Sequence, residues 1–198
     1  MLIVVTSEHH IPNEADWINQ MFQNGLKYLH LRKPGYSMHA YQNLIDLIES
    51  QYHRKIMIHE HHELCTKYGL HGIHIPEYHR KQMAHLDTYV NEYYAQDFVV
   101  SSSFHDIDSI QQFQIHLDYY LLSPVFDSVS KKGYSGKEFN VLDQERLIVG
   151  LGGIHADNIS NTLQLGYQGV AVLGSIWQAN NPLQSFQNIQ KQYQAALT

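Results

Sequence analysis

Short apolar runs rich in β-branched residues alternate along the chain with stretches whose apolar residues recur at every third or fourth position. The first pattern belongs to strands and the second to helices, so the alternation predicts repeated βα units around a parallel sheet. Eight runs are present: LIVVT from Leu2, KYLHLR from Lys27, KIMIH from Lys55, GIHI from Gly72, DFVVSS from Asp97, DYYLLS from Asp118, LIVGLGG from Leu147 and GVAVLG from Gly169. Between the first two, Pro12 marks a helix start, Trp17, Ile18, Met21 and Phe22 make a buried stripe, and Gly25 marks a stop. After the second run, Ser37 is placed to cap a helix whose Tyr41, Leu44, Ile45 and Ile48 share one face. Ile159 and Leu163 precede Gly166, and Pro182 opens a last helix carrying Leu183, Phe186, Ile189 and Tyr193.

Eight strands in 198 residues lie near the lower limit for a closed barrel. The predicted fold is therefore α/β: a single compact (β/α)8 TIM barrel over residues 1–198, with some shortened helices. Only HEHHELCTKYGLH separates the third and fourth runs, and Gly136 to Arg146 leaves room for about one or two helical turns before the seventh. An open doubly wound sheet would show a glycine-rich turn after its first strand, whereas TSEHHIPNE contains no glycine.

Composition narrows the function. Charged residues are 16% of the chain, the formal net charge is −6, and no Lys/Arg cluster exceeds a pair, so nucleic acid is not an expected partner. No apolar run approaches the roughly 20 residues that span a bilayer, and MLIVVTSEHH lacks the pattern of a signal peptide, so no membrane is expected and a cytoplasmic location is. Cys65, the only cysteine, allows neither an internal disulfide nor a cysteine-based zinc site. Of the 15 histidines, several cluster in MIHEHHEL, but His59, Glu60 and Glu63 do not form HExxH, and their spacing argues against a dedicated structural metal site. Trp177 and the tyrosine-rich NEYYAQ suggest covered surfaces and leave a homo-oligomer open.

In such a barrel the active site forms at the carboxyl ends of the strands. There HLRKPG places His30 and Arg32 on one face by the two-residue period of a strand, with Lys33 at the mouth. SSSFHD offers Ser103, His105 and Asp106, and the stretch after the sixth run offers Ser128, Ser130, Lys131 and Lys132. GLGGI and VLGSI bring glycines, whose backbone N–H groups can approach an anion closely, each just before a helix. Cations, hydroxyls and open backbone at one end of five strands suit a phosphate or pyrophosphate.

These motifs resemble, in order and over nearly the whole chain, those of the thiamine phosphate synthase and TenI superfamily. HLRKP is similar to the family's Q-L-R-E-K, and IHEHHELCTKYGLHGIHI to its I-N-D…L-A…G-A-D-G-V-H-L. SSSFHD is similar to G-V-S-x-H, and SPVFDSVSKKG to G-P-[IV]-[FY]-x-T-x-T-K. GLGGIHADNI is similar to I-G-G-I-x-x-x-N, and GVAVLGSIW to G-V-A-V-[VI]-S-A-I. The resemblance implies a Mg²⁺-assisted transferase of thiamine biosynthesis, in which hydroxymethylpyrimidine diphosphate loses pyrophosphate and the thiazole phosphate nitrogen attacks the resulting cation. It implies that Arg32, Lys131 and Lys33 neutralise diphosphate charge and that Ser103, Ser128 and Ser130 supply hydroxyls, with His30 and His59 beside the pyrimidine. Gly152, Gly153, Gly174 and Ser175 are implied to hold the thiazole phosphate.

The chain departs from the pattern at several points: His30 replaces Gln, Pro34 replaces the motif's Lys, and His59-Glu60 replaces Asn-Asp. The second metal-binding Asp falls at His79, so the implied metal pair is Glu60 and His79, although Mg²⁺ prefers oxygen ligands. VFDSVSKKGYSG also resembles the TenI-type thiazole tautomerases, but Pro124 stands where their catalytic histidine would be. His30, His59 and His105 are the imidazoles expected at the mouth for such proton transfer. A non-catalytic barrel binding a phosphorylated metabolite is the third reading.

Overall fold

The computed structural model describes residues 1–127, 136–137 and 139–198. Its strands are β1 (Leu2–Val5), β2 (Tyr28–Leu31), β3 (Ile56–Ile58), β4 (Gly72–Ile75), β5 (Val99–Phe104), β6 (Tyr119–Leu122), β7 (Ile148–Leu151) and β8 (Gly169–Val172). Each is parallel to the next, and β8 returns to pair with β1, closing the eight-stranded barrel that the sequence predicts. Around it lie α1 (Glu14–Gln23), α2 (Met38–Asp46), α3 (Leu64–Tyr68), α4 (Glu77–Gln82), α5 (Leu86–Tyr94), α6 (Ile107–Gln112), α7 (Ile159–Gln164), α8 (Gly174–Trp177) and α9 (Pro182–Ala195). None of the described helices is long and apolar enough to cross a membrane.

The predicted helix signals act as expected. Ser37 accepts a hydrogen bond from the Ala40 N–H to start α2, and Asn181 does the same for Gln184 ahead of Pro182 in α9. Ile18, Met21 and Phe22 of α1 are buried, as are Tyr41 and Ile45 of α2 and Phe186, Ile189 and Tyr193 of α9. Burying such a side chain contributes about 1.5–3 kcal/mol. Between Gly136 and Arg146 the described residues contain no helix; Val141 is held instead by its N–H to the Leu165 carbonyl, and Arg146 donates to the carbonyls of Ile110 and Phe113. The covered aromatics are accounted for within the chain. Trp177 is buried and donates from Nε1 to the Val5 carbonyl at 2.7 Å, while Tyr93 and Tyr94 pack on the core.

Strand alternation divides the interior in two. Outward-facing residues such as Val4, Leu29, Ile58, Ile73 and Val170 join the helices in the large core between the two layers. Inside the barrel, Ile3, Val5, Leu121, Val149 and Ala171 form a smaller apolar cluster. The rest of the barrel interior is polar: His30, His74 and Ser101 are fully buried and His59 nearly so. That half forms the floor of the site.

Candidate active site

A cavity of about 390 Å³ opens at the carboxyl end of the barrel, a size suited to a small ligand. It is lined from the ends of all eight strands, by Val5, Arg32, His59, Pro76, Ser103, Leu121, Leu151, Ala171 and their neighbours. Arg32, His59, Ser103, Gly152, Gly153, Gly174 and Ser175 are thus brought together from distant parts of the sequence. The β2 end is fixed to β1 through Thr6, which accepts from the Arg32 N–H at 2.8 Å and donates to its carbonyl at 2.9 Å. The Arg32 guanidinium stays at the half-open mouth, 3.1 Å from Glu8.

The glycine turn after β7 serves close approach. Gly152 and Gly153 have φ of +98° and +66°, and a Cβ on Gly153 would lie 2.5 Å from the Asp127 carbonyl oxygen. The chain after β6 therefore packs against this turn, with the Phe126 N–H donating to the Gly152 carbonyl at 3.1 Å. Beside it, Ser175 Oγ is buried with no hydrogen-bond partner among the described residues. A buried hydroxyl without a partner is costly.

Four expected site residues are placed elsewhere. Lys33 does not reach the mouth: the strand period turns it outward, where its fully buried ammonium lies 2.5 Å from Glu14 of α1 and 3.1 Å from the His9 carbonyl. Burial raises the Glu14 pKa while Lys33 opposes the shift. His30 faces the barrel interior but sits below the cavity, between His59 and Tyr119. Glu60 lies at the rim, accepting from the Tyr41 and Tyr78 hydroxyls at 3.3 and 3.4 Å. His79 packs its ring on Tyr78 rather than lining the cavity, and Glu60 and His79 belong to no group of three metal donors among the described residues. Ser128, Ser130, Lys131 and Lys132 lie outside the described residues.

Several contributors escaped the sequence reading. Glu77 lines the cavity, held 3.5 Å from Arg80 and 3.2 Å from Lys81, with the cavity-lining His105 at 3.5 Å on its other side. Below, the polar floor is joined by two hydrogen-bonded chains. His59 Nε2 is 2.9 Å from His30 Nδ1, and His30 Nε2 is 2.7 Å from the Tyr119 hydroxyl. On the other side of the floor, Ser101 Oγ is 2.9 Å from His74 Nδ1, and His74 Nε2 is 2.6 Å from Ser103 Oγ at the cavity surface. Desolvation holds His30 down to about 3 and His59 and His74 well below the ordinary imidazole range, so all three are neutral. His74 was readable, since GIHI places it on the same face as Gly72 with the barrel interior in front of it. Cys65 is plain core: its thiol donates to the Gly72 carbonyl, and burial pushes its pKa up to about 12.

This arrangement can receive an anion at the rim while a neutral polar floor faces a ring system. The comparisons with known proteins agree with it. The Thiamine monophosphate synthase family model (TMP-TENI) matches residues 2–176. A thiamine-phosphate synthase of Chlamydia caviae is 24% identical over 197 residues, covering 91% of this chain and 89% of its own. The crystal structure of a thiamine phosphate pyrophosphorylase from Bacteroides thetaiotaomicron superposes with a TM-score of 0.75 at 27% identity, covering 98% of this chain and 97% of its own. One from Pyrococcus furiosus reaches 0.81 at 16% identity over 100% of this chain and 96% of its own, a likeness that speaks for the fold alone. With the family model spanning all eight strands and the seven connections between them, the chain belongs to the thiamine monophosphate synthase family.

Proposed function

We propose that this protein is a transferase that joins hydroxymethylpyrimidine diphosphate to thiazole phosphate and releases pyrophosphate. The observation that carries the reading is the convergence of Arg32, Ser103, Gly152, Gly153, Gly174 and Ser175 on one cavity. In this reaction the C–O bond to the diphosphate breaks, the leaving pyrophosphate takes the electron pair, and the thiazole nitrogen forms the new C–N bond. No protein nucleophile is required. Arg32 and Lys131 would balance the charge that develops on the leaving group, with Ser103, Ser128 and Ser130 donating hydrogen bonds. Gly152, Gly153, Gly174 and Ser175 would hold the thiazole phosphate, and His59 with the floor beneath it would face the pyrimidine. Lys33, spent on Glu14, has no part.

Mg²⁺ needs few protein ligands when substrate phosphates supply the others. Glu60 fits that requirement as a rim carboxylate; His79, turned onto Tyr78, does not. The ion would neutralise phosphate charge. We place the reaction in the cytoplasm, on small phosphorylated substrates.

The test is pyrophosphate release by the folded protein given both substrates and Mg²⁺; no release above background would remove the transferase reading. His59 and His105 line the cavity, which keeps a thiazole tautomerase in view. That activity should interconvert thiazole phosphate tautomers without metal, whereas a non-catalytic binder would be thermally stabilised by the same compounds and turn over neither.

A further inference from the structure

The geometry points to a transition-metal site in the barrel floor, formed by His30, His59 and His74 and open to the cavity, that takes a borderline divalent ion such as Zn²⁺. One ring nitrogen of each histidine lies within 4.8 Å of the other two. His30 Nδ1 and His59 Nε2 are 2.9 Å apart. A tetrahedral Zn²⁺ with bonds of about 2.0–2.1 Å holds its nitrogens about 3.4 Å apart, so small side-chain adjustments suffice. The three come from the ends of β2, β3 and β4, which explains why spacing along the chain gives no sign of the site.

Two further observations fit a ligand set rather than an ordinary polar core. Metal-binding imidazoles are usually held through their second nitrogen, and here Tyr119 stands 2.7 Å from His30 Nε2 and Ser101 2.9 Å from His74 Nδ1, so that the ion would take His74 Nε2 in place of its present partner Ser103 Oγ at 2.6 Å. His59 and Ser103 both reach the cavity surface, so an ion bound by the three imidazoles would have its fourth position accessible to water or ligand, as three-histidine sites commonly do. Nitrogen donors without a carboxylate select Zn²⁺, Co²⁺, Ni²⁺ or Cu²⁺ over Mg²⁺, so this site is distinct from any Mg²⁺ held at the rim. Arg32 and Arg80 are the nearby cations, and their pairing with Glu8 and Glu77 reduces the repulsion a further cation would meet.

The experiment is a Co²⁺ titration of the full chain after metal removal with a chelator, in the absence of substrates. The expected result is one Co²⁺ per chain with the intense visible absorption of a tetrahedral site, displaced by Zn²⁺ and unaffected by excess Mg²⁺. His74→Gln and His59→Asn should each weaken binding by about 100-fold or more, and Tyr119→Phe by about 10- to 100-fold. His39→Gln, on the exposed face of α2, should leave it unchanged. Absence of the tetrahedral spectrum in the unmutated protein would overturn the proposal even if a variant failed to fold. So would wild-type affinity in folded His59→Asn, since the ion would then sit on surface histidines. Because no substrate is present, either outcome is independent of the transferase assay.

Discussion

Lys33 shows how far one step along a strand end can move a charge. His30, Leu31, Arg32 and Lys33 alternate in, out, in, out, so Arg32 reaches the cavity while Lys33 enters the helix layer and meets Glu14. Arg32 was legible from that period; Lys33 was misplaced because its partner lies in α1, and sequence does not reveal a buried pair. Lys33→Met should destabilise the fold by about 3–5 kcal/mol, since it strands a buried carboxylate, and adding Glu14→Leu should recover most of the loss. Urea unfolding checks both; a Lys33→Met variant as stable as the parent would show that the pair is not closed. Arg32→Ala should instead leave stability nearly unchanged and weaken pyrophosphate binding by about 1.5–3 kcal/mol, the range for a hydrogen bond to a charged group. Unaltered affinity in calorimetry would dismiss its assigned role.

Helices written in aliphatic residues were readable, and those written in tyrosine were not. α1, α2 and α9 announce themselves through Ile, Leu, Met and Phe at helical spacing. α5 has the same spacing in Leu86, Tyr89, Val90 and Tyr93, but only Val90 is fully buried, so its apolar stripe is weak. The glycine turn after β7 was legible as a turn, while its reason, the approach of the chain at Phe126 and Asp127, needed the fold. Gly153→Ala should cost about 1–3 kcal/mol from left-handed backbone alone, and the contact with Asp127 should also reduce affinity for a phosphorylated thiazole. As a contrast, Asn181→Ala removes the α9 cap without altering a cavity-lining residue and should cost about 1 kcal/mol with turnover little changed. Thermal melts and rate measurements on the two variants separate the site's backbone from general stability.

The closed barrel followed from counting eight apolar runs, yet the polar half of its interior did not, because LHL and GIHI look like ordinary strand sequence. That interior, together with His62 buried against Tyr89 and Tyr93 of α5, makes the fold acid-labile. His30 is held to about 3 and His62 to about 4 against 6.5 in the unfolded chain, so between those values only the unfolded state takes up the proton. Stability should therefore fall as pH drops from about 6.5 toward 4, by up to about 1.4 kcal/mol per pH unit for each such histidine. Denaturant titrations at pH 7.5, 6 and 5 measure this slope, and His62→Gln should reduce it by about one proton; a flat profile would mean that these imidazoles are not buried neutral. The rim above them remains the centre of the functional reading. Crystals soaked with pyrophosphate examine it most directly: the anion is expected in the cavity within hydrogen-bond distance of Arg32 and of Ser103 or the glycine-turn amides. Pyrophosphate bound away from the strand ends, or an empty cavity at saturating concentration, would contradict it.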